Sequence, residues 1–220
     1  IMQSGRYALH RIGSLPGTNM LLKRSIITDL GAYDPYALAE DAELTIRLSS
    51  KGYVIAVDPH SQTWEQEPQT LKALMKQRTR WLQGNLYIMF KFFKEKNWWK
   101  KPCIIHLTYY LTIYVIFGGL LLSSNILFIL GLFGFINFNS GINYLFFWFL
   151  AYLTYTIQLL CAVWYDKKLS AKNVLAASLM YFTYAQLFIF LLVRGLVLMM
   201  KDKRNGTVIW DKTERVAIEK

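Results

Sequence analysis

Two adjacent carboxylates, Glu40 and Asp41, are followed downstream by Gln77-Arg78-Thr79-Arg80-Trp81 and Gly84, and from Cys103 the chain turns almost wholly apolar. On a helix Gln77, Arg80, Trp81 and Gly84 stand at i, i+3, i+4 and i+7 and share one stripe. That stripe offers an amide, a fixed cation, an aromatic face and a gap, which suits holding a sugar against a phosphate. It equally suits a solvated basic face with a tryptophan at a membrane surface. Asp41 has the chemistry of a general base: at a helix that begins near Ala39, the amide dipole keeps a carboxylate ionised and ready to accept a proton. Acids are also the ordinary decoration of helix N-termini, and Glu40 and Asp41 fit that role too.

The elements that must carry these residues divide the chain by composition. With 220 residues, 54% apolar and 16% aromatic, it reads as a membrane protein. The net charge of +11 does not point to nucleic acid, because the lysines and arginines gather beside apolar runs, at Lys91 to Lys101, Lys167-Lys168 and Lys201 to Arg204. That is the pattern of cytoplasmic membrane flanks. Cys103 and Cys161 lack spaced partners, so neither a disulfide framework nor a cysteine metal site is expected.

Residues 1–70 mix Gly, Pro and charge with short apolar runs and read as part of an α/β domain. Gly17-Thr18-Asn19 is a loop, Asp34-Pro35 a turn, Glu40 to Ser50 a helix ended by Gly52, and Tyr53 to Val57 a short strand. Thr70 caps an amphipathic helix within 71–101 that ends in the membrane interface at Trp98-Trp99. The membrane region spans 103–200, with crossings expected at about 103–136 and 144–165. Asn137 to Asn143 is then an external loop and Asp166 to Lys172 a cytoplasmic one. The run at about 173–200 has lysines at both ends, which favours an in-plane or re-entrant helix followed by a cytosolic tail, 201–220.

Three motifs in the right order resemble the membrane-embedded processive family-2 glycosyltransferases, the group of cellulose, hyaluronan and poly-N-acetylglucosamine synthases. They are Glu40-Asp41; Glu67-Pro68-Gln69-Thr70-Leu71 leading into Gln77-Arg78-Thr79-Arg80-Trp81; and Trp210-Asp211-Lys212-Thr213-Glu214-Arg215, similar to the gating loop of these synthases. The poly-N-acetylglucosamine type is the one most resembled. The resemblance implies the C-terminal part of an α/β GT-A-like glycosyltransferase domain, followed by α-helical transmembrane and interfacial helices. It implies inverting transfer from a nucleotide sugar, UDP-N-acetylglucosamine, to a growing β-linked polysaccharide exported through the bilayer. The protein would be multi-pass in the plasma membrane, with its catalytic part cytoplasmic.

By the same resemblance Asp41 is the catalytic base, with Glu40 beside it in substrate binding. Gln77 and Arg80 serve the diphosphate, and Trp81 stacks on the acceptor sugar. Gly17, Thr18 and Asn19 line the acceptor pocket. Thr213 and Arg215 approach the phosphates while Trp210 anchors their loop. Two departures stand out: Ala39 occupies a position where many members have Thr, and no Asp-x-Asp metal motif occurs. The Mg2+ or Mn2+ ligands and the uridine site are therefore expected in an N-terminal half, preceding this chain or on a partner chain, and the chain alone is expected to be inactive. A non-processive transferase acting on a lipid carrier, or a non-catalytic subunit of a synthase, would share much of this pattern.

Overall fold

The computed structural model describes residues 2–61, 63–135 and 144–205. In chain order the elements are α1 (Met2–His10), α2 (Arg24–Asp29), α3 (Glu40–Ser50), α4 (Leu71–Phe93), a 3-10 turn (Trp98–Lys100) and α5 (Ile104–Leu111). A π segment (Thr112–Phe117) leads into α6 (Gly118–Leu132), and α7 (Tyr144–Tyr165) and α8 (Ala171–Met180) come next. A second π segment (Tyr181–Ala185) then leads into α9 (Gln186–Asn205).

No strand occurs among the described residues, which overturns the α/β GT-A-like domain expected for residues 1–70. That expectation rested on Tyr53 to Val57, whose β-branched and aromatic residues favour a half-buried pleated surface. The segment follows α3 outside any helix, its residues are exposed or half-buried, and no second strand pairs with it among the described residues. A strand exists only where a neighbour takes up its N–H and C=O groups, and composition cannot supply the neighbour.

Local signals elsewhere act as chemistry requires. Thr70 caps α4 by accepting the Ala73 N–H on Oγ1 at 3.1 Å. α3 ends at Gly52, whose φ of +82° is left-handed. The Gly52 N–H donates to Ser49 O at 2.9 Å and the Tyr53 N–H to Leu48 O at 3.1 Å, the paired bonds of a Schellman motif.

The chain divides into two compact units, Met2–Thr112 with the segment from Leu191 onward, and Ile113–Phe190. In the first unit α3 is the central element because it buries two faces. Ala39 and Ile46 pack with Ile88 and Phe92 of α4 and with Cys103 and Leu107 at the start of the apolar region. Leu44 and Leu48 pack with Leu15, Met20, Leu22, Ile26 and Ile55. Full burial of a side chain such as Leu44 or Ile46 contributes about 1.5–3 kcal/mol, so α3 is held from both sides. Midway along its length α9 lies against α4: a Cβ on Gly195 would lie 2.1 Å from Leu82 Cδ2, so a larger residue there would push the leucine side chain aside.

In the second unit Tyr181, Leu121 and Ala185 form a buried cluster against Trp148, Tyr152 and Tyr155. Asn125 Nδ2 donates to Gln186 Oε1 at 2.7 Å, a polar pair between helices of the kind that ties apolar bundles. Three helical runs are long and apolar enough to cross a membrane, Ile104–Leu132, Trp148–Tyr165 and Ala171–Lys201. Only 11%, 6% and 17% of their apolar windows is buried within the protein, which leaves hydrocarbon-like surface for lipid. The run expected to lie in-plane or re-enter is a continuous helix from Ala171 through the second π segment. Asn137 to Asn143 and the tail bearing Trp210, Thr213 and Arg215 lie outside the described residues.

Candidate functional site

Asp41 stands in the first turn of α3, where the helix start presents amides to a carboxylate. Its Oδ1 accepts the Ala42 N–H at 2.8 Å, and its backbone oxygen accepts Thr45 Oγ1–H at 2.8 Å. The other carboxylate oxygen, Oδ2, faces the loop at Gly17. A Cβ built on Gly17 would lie 2.8 Å from Oδ2 and would displace the carboxylate, and φ at Gly17 is +85°, the left-handed region that favours glycine.

Burial raises the pKa of Asp41, and the neighbouring Glu40 charge adds to the rise. The Ala42 N–H and the positive charge of Arg80 act in the opposite direction. A carboxylate made more basic in this way is better matched to accepting a proton.

Arg80 reaches the same place from α4. Its Nη1 donates to Leu38 O at 3.2 Å, just before α3. One turn along, Gly84 lets the helices touch, since a Cβ there would be 2.7 Å from Ala39 Cβ and 2.8 Å from Ala39 N. Ala39, the departure from the commoner Thr, therefore sits against a glycine of the Gln-Arg-x-Arg-Trp helix. Gln77 keeps its Oε1 buried without a hydrogen-bond partner, an acceptor ready for a hydroxyl.

The structure thus brings Gly17, Asp41, Arg80 and Gly84 together, with Glu40 adjacent. The other expected residues engage different partners. Thr18 Oγ1 donates to Glu65 Oε1, and Asn19 Nδ2 donates to Ser61 O at 2.9 Å. Both border an open cleft of about 990 Å³ with Met20, Tyr53 and Trp64, a cleft that Asp41 does not line. Trp81 is 38% exposed, and the Arg78 guanidinium lies 4.2 Å from its ring centroid. Arg78 in turn pairs with Glu67 at 3.9 Å, so the tryptophan is braced on one face by the preceding motif.

Beside this site lies a charged network that motif reading did not single out. Lys91 of α4 donates to Asp34 Oδ2 at 2.7 Å and to Glu43 Oε1 at 2.6 Å, and Tyr87 OH donates to the same Asp34 oxygen at 2.8 Å. Glu43, fully buried, also pairs with Arg47 at 2.9 Å, and Arg47 Nη1 donates to Leu30 O at 2.8 Å. Burial opposes the charge on Lys91, yet its bonds to Asp34 and Glu43 prevail and hold its pKa above the ordinary lysine value. Asp34 likewise resists burial through Lys91, the Tyr36 N–H and Tyr87, and its pKa is lowered. Tyr87 is pushed up to about 12 by burial and by Asp34. Glu43 and Arg47 at i, i+4 were the visible signal in the sequence.

Among the described residues no three His, Cys, Asp or Glu side chains come together as metal ligands.

The family described as "Glycosyl transferase family group 2" matches residues 1–200. The chain belongs to this family. It is 38% identical over 219 residues to "Probable glycosyltransferase YdaM" of Bacillus subtilis (strain 168), a match covering 97% of this chain and 51% of that protein. It is 33% identical over 82 residues to "Poly-beta-1,6-N-acetyl-D-glucosamine synthase" of Staphylococcus aureus (strain COL), covering 37% of this chain and 20% of that protein. The chain thus spans about half the length of the Bacillus glycosyltransferase. No solved structure matches it. The match agrees with the family-2 glycosyltransferase resemblance at the coarser level of the family.

Proposed function

We propose that these residues form the acceptor-side and membrane part of an inverting glycosyltransferase that lengthens a β-linked polysaccharide from UDP-N-acetylglucosamine and passes it into the bilayer. The observation that carries this reading is Asp41, its Oδ2 turned toward the Gly17 loop, on a helix whose entry at Leu38 O is held by Arg80 of α4 at 3.2 Å. In the reaction the acceptor hydroxyl oxygen forms a bond to the anomeric carbon as the bond from that carbon to the diphosphate oxygen breaks. The hydroxyl proton passes to Asp41 Oδ2, and the leaving nucleoside diphosphate keeps the bonding electron pair. Arg80 stabilises the charge that grows on the diphosphate, and the Gln77 amide N–H groups help to hold it. Trp81, braced by Arg78, offers its open face to the acceptor sugar.

The choice of sugar follows the staphylococcal relative's name, and the membrane role follows the three long apolar runs. The test is product analysis of the full-length protein with UDP-N-acetylglucosamine. Long β-linked polymer supports the reading, whereas single-sugar adducts on lipid would replace it with a non-processive transferase.

A further inference from the structure

We propose that Lys91, through Glu43 and Asp34, is a positioning residue for the base: it locks α3 against α4 so that Asp41 is registered on Arg80. This inference rests on the reading of Asp41 as the base of a sugar transfer, and concerns residues to which that reading assigns no role.

Three observations carry it. First, Glu43 is fully buried, and a buried carboxylate is tolerated only when cations answer it; here Arg47 comes from its own helix and Lys91 from α4. The Arg47–Glu43 pair lies within α3, so of the two cations on Glu43 it is Lys91 that joins α3 to α4. Second, Glu43 lies two residues beyond Asp41, about 3 Å along the helix axis, so a shift at one is transmitted to the other with little loss. Third, Lys91 and Tyr87 together grip Asp34 in the turn that leads to α3, where the Tyr36 N–H also closes on Asp34 Oδ1 at 2.9 Å. The approach to the base and its own helix are therefore tied to one ammonium.

Apolar packing of Ala39 and Ile46 on Ile88 and Phe92 holds the helices together but permits small slides, because aliphatic contacts are not directional. Ala39 against Gly84 sets how closely they approach. The two bonds from Lys91 to separate carboxylates set register along the axis. Transfer depends on register, since a misplacement near 1 Å can cost on the order of 100-fold in rate.

The experiment uses the full-length enzyme in lipid nanodiscs with UDP-N-acetylglucosamine as donor, and counts folded sites by UDP binding. Lys91→Met should lower kcat per counted site about 10- to 100-fold with donor KM little changed. Lys91→Arg, which can still meet both carboxylates, should restore most of the rate. A purely stabilising lysine would reduce the number of sites and leave kcat per site alone, and that result overturns the proposal. So does a loss that Lys91→Arg fails to restore. If Lys91→Met yields no folded sites, Glu43→Gln, which keeps shape while removing charge, must show the same fall in kcat per site, and a normal value overturns the proposal. Asp41→Asn is measured alongside. Transfer by that variant defeats the base reading itself, whereas an inactive Asp41→Asn beside a fully active Lys91→Met defeats only the positioning role.

Discussion

Gly17 and Asp41 are in contact across the mouth of α3: any side chain at Gly17 would begin 2.8 Å from Asp41 Oδ2. Gly17→Ala should therefore act on chemistry more than on folding. The left-handed φ of +85° costs alanine roughly 1 kcal/mol, a tolerable loss of stability, while the added methyl must displace the loop or the carboxylate. Transfer should fall at least tenfold at near-normal expression. Wild-type turnover in Gly17→Ala would show that Oδ2 does not need this approach.

Asp41→Asn should abolish transfer, leave nucleotide binding near normal and raise thermal stability. The sign follows from burial, which raises the carboxyl pKa in the folded state above its unfolded value. Such a group favours folding less as pH climbs from the unfolded value through the folded one, so its cost is fully present above the folded pKa. The stability gap between Asp41→Asn and wild type should be largest at neutral pH and shrink on acidification through that range. Melting curves across pH, with a gap that stayed constant or reversed, would contradict the assignment.

The Lys91 cluster has its own pH window. Asp34 is lowered, so its contribution to stability is present above the unfolded carboxylate value and is lost as pH falls through the folded one. Lys91 is raised, so its contribution is present below the unfolded lysine value and lost as pH rises through the folded one. Lys91→Met should consequently melt lower than wild type across the neutral range, and the difference should narrow in strong acid. A difference that grew in acid would mean that Asp34 and Lys91 are not coupled.

Trp81 and Arg80 should fail in different ways. Trp81→Ala removes a platform for the acceptor, worth a few kcal/mol at most, and should shorten polymer while donor hydrolysis continues. Arg80→Ala removes charge from the leaving-group side and should depress transfer and hydrolysis together. Size analysis of the product with a parallel assay of released UDP separates the two, and full-length polymer from both variants would reduce α4 to an amphipathic float.

The contact between Gly195 and Leu82 bears on topology, because it sets the middle of α9 against α4. The tail after α9 and the segment Asp166 to Lys172 should face the cytoplasm, and Asn137 to Asn143 the outside. With Cys103 and Cys161 replaced, a cysteine at Asn139 should react with an impermeant label on intact cells, and cysteines at Lys168 and Trp210 should not. External reaction at Trp210 would make Ala171–Lys201 a full crossing and remove the gating role of the tail.

Helix ends were legible from sequence because capping is local: Thr70 needs only the amide of Ala73, and Gly52 needs only a left-handed φ after α3. The apolar runs were legible too, since length and hydrophobicity suffice to suit a bilayer. Gln77, Arg80, Trp81 and Gly84 could be placed on one helix stripe from spacing alone. Tyr53 to Val57 shows the limit, because a strand depends on a partner that its own residues do not encode. Asp34 and Glu43 meeting Lys91, Gly17 closing on Asp41, and Arg80 reaching Leu38 were decided only by the tertiary structure. Each joins residues far apart in the chain, and such a contact forms only when packing on both faces of α3 has already offset the entropy of bringing the segments together.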